Sequence, residues 1–264
     1  MLDRIADIAG PAGPWGLAGA AAAVFLAGFM RGFVGFGAAL VVVPVLSVVF
    51  SPTVAVPIAF LSGLPSVLQL LPTAVRHAER AFVLPIAIAA FVAAPLGTLV
   101  LARADPALLK IGIAGVVVAM AAFLASGWRL TRRPGRPALF AVGTLAGFIQ
   151  GVAGVGGPPA VAAALARAGD ATAQRANVIA AVTALAFSTA IPLWRLGLLT
   201  ADVLWLALLF TPIHSAAAWL GARRFDRGGQ RHYRIAALAT LAAVGVFTLV
   251  AALRDYAAAW PAPS

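Results

Sequence analysis

The chain has 264 residues, 62% of them hydrophobic and 10% charged, with a mean hydropathy of +1.01. A soluble domain is about 45–50% apolar and about 25% charged, so a water-soluble core is excluded and a polytopic, all-α membrane protein is expected. The formal net charge of +11 comes almost wholly from Arg in the breaks between apolar runs, a pattern that sets membrane orientation and does not suggest nucleic acid.

Taken in chain order, the first 30 residues carry small residues in the style of a cleavage site. Asp3, Asp7 and a single Arg4 make a poor signal n-region, and the segment is expected to be retained. The first half then shows an interrupted apolar segment at 14–50 and spans near 53–71, 81–102 and 108–128. After TRRPGRP at 131–137 the order repeats: an interrupted segment at 138–166, then spans near 175–193, 201–221 and 233–253. Two repeats are therefore expected at 1–130 and 138–264, joined by the linker 131–137.

The duplication is direct. Residues 27–37 read AGFMRGFVGFG and residues 146–156 read AGFIQGVAGVG, an offset of 119 with six of eleven positions identical. Arg76 and Arg195 share the offset, and Pro95-Leu96-Gly97 matches Trp219-Leu220-Gly221 more loosely. Gly disfavours helix interiors by about 1 kcal/mol per residue. With Pro44 following one copy and Pro158-Pro159 the other, both segments are expected to break.

Charge counting then chooses between topologies. If each interrupted segment crosses once, the basic residues outside the membrane divide nine against nine. If each is a hairpin of two short helices, only Arg4, Arg103, Lys110, Arg195 and Arg254 oppose thirteen others, which obeys the positive-inside bias. A hairpin plus three spans gives an odd number of crossings, so the halves would be inverted repeats, a recurrent plan of secondary transporters.

Several residues stand out against this frame. Gly35, Gly37, Gly154, Gly156 and Gly157 flank the breaks, where freed N–H groups could cradle an anion; tight helix packing is the alternative. Gly147, farther from the break, is expected to tolerate Ala. Arg31 is a cation deep in apolar sequence, with Gln150 as its repeat partner. It is a candidate anion ligand or gating contact, with snorkelling to the headgroups as the alternative. Asn177 could donate to the anion or cap its own helix. Gln69, Ser188 and Thr189 are polar groups in mid-span, candidates to line the path. His214 is the one group within a span that titrates near neutral pH, a candidate for proton coupling.

AGFMRGFVGFGAALVVVPVL, GFIQGVAGVGGPPAVAAAL and the following QRANVI resemble the sulfite exporter TauE/SafE family, also known as the toluene sulfonate uptake permeases. The resemblance extends over nearly the whole chain, through Gly221 and Tyr233-Arg234. It implies a multi-pass carrier of the bacterial inner membrane for a small anion, sulfite or an organosulfonate such as sulfoacetate, working by alternating access; an anion channel is the alternative. The partners expected are the anion and membrane lipid, with a homodimer compatible and no nucleic acid. No cofactor, metal or enzymatic activity is expected: there is no cysteine, His77, His214 and His232 lie far apart, and phosphate-loop, dinucleotide and nucleophile motifs are missing.

Overall fold

The computed structural model describes residues 13–34, 37–125, 134–165 and 171–225, together with Val250 and Arg254. Gly35 and nearly all of the span expected at 233–253 lie outside the described residues. Within them the secondary structure is helical: α1 (Gly13–Val34), α2 (Ala38–Val49), α3 (Pro52–His77), α4 (Arg80–Arg103), α5 (Pro106–Ala125), α6 (Arg136–Ala153), α7 (Gly157–Leu165), α8 (Ala171–Ser188), α9 (Ala190–Arg195) and α10 (Ala201–Phe225). Among the described residues six stretches are long and apolar enough to cross a membrane, in α1, α3, α4, α6, α8–α9 and α10. The chain is a multi-pass helical membrane protein.

Both interrupted segments break at glycine. Gly37 N-caps α2 at φ 90, and Gly154 C-caps α6 at φ 69, left-handed conformations that L side chains rarely adopt. The arms are unequal, which departs from the two short helices expected. At 22 residues α1 is long enough to span on its own, whereas α2 has 12 and α7 has nine. Pro44 interrupts nothing; it sits inside α2. Pro158 and Pro159 fall in the first turn of α7, where a missing N–H costs nothing.

One break was not expected. Helix α8 stops at Ser188 and α9 starts two residues later. Pro192 has no N–H for the Ser188 carbonyl. The Ser188 and Thr189 hydroxyls donate to the Leu185 and Ala186 carbonyls at 2.7 and 2.8 Å, replacing helical bonding with local side-chain bonds.

Glycine also sets how the helices meet. Helix α1 packs on α10, and α4 on α6. A Cβ added at Gly28 would overlap the His214 carbonyl, and one at Gly32 the Ala218 carbonyl. In the other crossing a Cβ at Gly147 would strike Ala90, and one at Gly151 the Ala94 carbonyl. Gly221 bears on Phe29 and Phe33, as Gly97 bears on Phe148 and Val152. Pairs rise together along both helices, so the partners run parallel. The two contacts are the same joint at offsets of 119 and 124, which makes Pro95-Leu96-Gly97 and Trp219-Leu220-Gly221 structural equivalents. Lipid is as apolar as Leu, so association in a membrane relies on such close backbone approach. Gly147 is therefore no tolerant site, contrary to expectation.

Candidate functional site

Where the breaks converge, the bundle encloses a cavity of about 90 Å3. Its walls come from α1, the first turn of α2, mid-α3, the second break with the start of α7, α8 and α10. Arg31, Gly37, Gln150, Gly154, Gly157 and His214, far apart in sequence, all line it. Thr189 joins them from the unexpected α8–α9 break. The remaining wall is apolar, with Val42, Val56, Phe60 and Val182 among its members. Among the described residues no Asp or Glu lines it.

The polar groups are under-supplied with partners. The Arg31 Nε and the His214 Nδ1 are buried without a hydrogen bond. Phe29 and Phe33, each two residues from Arg31 along α1, stack their rings at 6.0 Å. A cation so placed is expensive unless something answers its charge. Gln150 is better provided for: its Oε1 accepts the Gly156 N–H at 3.0 Å.

Two expected site residues lie elsewhere. Gly156 does not line the cavity; a Cβ there would overlap the Ala146 carbonyl and press on Gln150, so its glycine serves the turn. Asn177 is fully buried and bonded to Glu79: its Oδ1 accepts the Glu79 N–H at 2.7 Å and its Nδ2 donates to Glu79 Oε1 at 3.1 Å. It caps the start of α4 across the bundle and is not turned to the cavity. Among the polar groups in mid-span, Gln69 is exposed and Ser188 is buried away from the cavity. Nothing in the local sequence around Glu79 or Asn177 signals their pairing, 98 residues apart.

A helical membrane protein in which two broken helices meet around a cavity lined by Arg31, its Nε buried without a partner among the described residues, has the build of a small-solute transporter, with irregular backbone where it lines a cavity. The sulfite exporter TauE/SafE family matches residues 20–248, and the chain belongs to that family of membrane transporters. Neither the curated proteins nor the solved structures include a match to it.

Proposed function

We propose that the protein is a secondary transporter of a small sulfur oxyanion, sulfite or a small organosulfonate such as sulfoacetate, in the bacterial inner membrane. The observation that carries this reading is the cavity itself. Among the described residues it is lined by one guanidinium, chain-break glycines from both halves and no carboxylate. A guanidinium grips trigonal or tetrahedral oxyanions through paired N–H donors. The size narrows the class. Sites for drug-sized ligands span about 300–1,000 Å3, so about 90 Å3 suits a few heavy atoms and not an aromatic sulfonate.

Alternating access of two inverted halves is the mechanism proposed. The equivalence of the two glycine joints supports a duplicated scaffold, and the uneven division of basic residues in the hairpin reading supports inversion. His214 is the cavity's proton carrier in this reading, and a proton gradient would drive transport through it. His214→Gln should then retain anion binding and lose the dependence of transport on a pH gradient in proteoliposomes.

The direct test is ligand-induced thermal stabilisation of the purified protein. Sulfite, sulfate, sulfoacetate, taurine and toluene sulfonate form the panel. Sulfite or sulfoacetate should raise the melting temperature, and toluene sulfonate should not. A flat response to every compound would overturn the reading. Single-channel currents in planar bilayers would replace the carrier with an anion channel.

A further inference from the structure

The two breaks are matched in sequence but not in hydrogen bonding. At the offset of 119, Arg31 matches Gln150, Gly37 matches Gly156, and Ala39 matches Pro158. At the second break Gln150 accepts the Gly156 N–H and closes the turn on its own helix. Gly157 keeps its N–H, but the two positions after it, Pro158 and Pro159, have none to offer.

At the first break none of this holds. Arg31 has only donors and cannot accept the Gly37 N–H as its counterpart does. Gly37 stands open, with nothing within 4 Å of a Cβ position. The Leu40 N–H is taken up by the Gly37 carbonyl at 3.1 Å. The N–H groups of Gly37, Ala38 and Ala39 precede the helical ladder and have no partner within it. These three residues line the cavity beside Arg31, whose buried Nε is also unpartnered.

We propose that the anion seat is one-sided: Arg31 and the first-turn amides of α2 hold the anion, while the second break, closed by Gln150, forms a wall. Charge and most of the free amide donors, those of Gly37, Ala38 and Ala39 against Gly157 alone, then come from one repeat and shape from the other. The inference rests on the anion-transport reading above and assigns the work within that cavity.

An exchange of the matched residues tests it. Arg31→Gln should weaken sulfite or sulfoacetate binding at least tenfold. Adding Gln150→Arg moves the cation to the second break, where Pro158 removes an amide that Ala39 supplies at the first, and binding should stay weaker than wild type by at least threefold. Recovery to within about threefold of wild type would overturn the one-sided seat. Ala39→Pro gives an independent measure, because it copies into α2 the residue that α7 carries at the matching position. It removes one amide from the seat and should cost about tenfold in affinity with the unliganded melting temperature unchanged; undiminished affinity would overturn the proposal. Pro158→Ala restores an amide to the wall and should leave affinity within twofold, whereas a gain of fivefold or more would overturn it. Failure of the anion reading itself looks different: the wild-type protein would respond to no sulfur oxyanion, before any variant is compared.

Discussion

The α1–α10 and α4–α6 crossings use one joint twice, yet they carry different side chains. Gly28 and Gly32 in one, Gly147 and Gly151 in the other, bring backbones together at matched positions. Beside the first joint stand Arg31 and His214; their counterparts beside the second are Gln150 and Ala90. Packing has kept the glycines paired because any Cβ there meets backbone, which cannot swing aside. The cavity residues are under no such constraint, so one copy holds the charge and the other a neutral amide. A duplicated scaffold thus gives a symmetric frame with an asymmetric interior.

The largest expected effect breaks the frame. Gly32→Ala places a methyl inside the Ala218 carbonyl, and destabilisation of roughly 3 kcal/mol, the upper end of overpacking costs, should follow. Gly151→Ala should match it, since the Ala94 carbonyl stands in the same place. Reversible unfolding in detergent micelles would compare them, and a large disparity would mean that the joints are not equivalent.

Next in size is Asn177→Leu. It strips both hydrogen bonds from Glu79 in a buried position and should cost about 2–3 kcal/mol of stability. Anion affinity should not change, which separates Asn177 from the cavity residues. A selective loss of binding would return it to the site.

Gly157→Ala acts on the interior alone. Its Cβ would sit 3.8 Å from Val182, an ordinary contact, and project where the cavity is lined. Stability should hold while anion affinity falls about tenfold, roughly 1.4 kcal/mol, as measured by calorimetric titration. The smallest effect belongs to Gly112→Ala on α5, where nothing lies within 4 Å. Better helix propensity should stabilise by up to about 1 kcal/mol, with binding untouched.

Much of the frame was legible because the bilayer imposes a long apolar run on each span. Helices α3, α4 and α10 lie where hydropathy put them, and the glycine breaks fall where the repeats match. The motif AGFMRGFVGFG concealed a division of labour. Its first two glycines sit four residues apart on the crossing and its last caps α2, a split visible only once a partner helix is in place. The α8–α9 break was written in Ser188, Thr189 and Pro192, but three weak signals in an apolar run read as one span. Arg31, Gln150 and His214 were found as polar residues in apolar surroundings, and all three line the cavity. Asn177 stood out for the same reason, but the structure pairs it with Glu79. A buried polar residue needs a partner, and Glu79, which supplies it, stands 98 positions away.

The glycine joints also impose an order on synthesis. Helix α1 leaves the ribosome early, but its partner α10 comes most of the chain later; α6 likewise seats on α4 from the opposite half. Until then the glycine face of α1 rests against lipid or a temporary neighbour, with its closest contacts unmade. A nascent chain stopped between α5 and α6 therefore contains α1 and α4 but neither complete joint. Cutting the gene there should give two fragments that mature only when made together, each acting as the other's assembly partner.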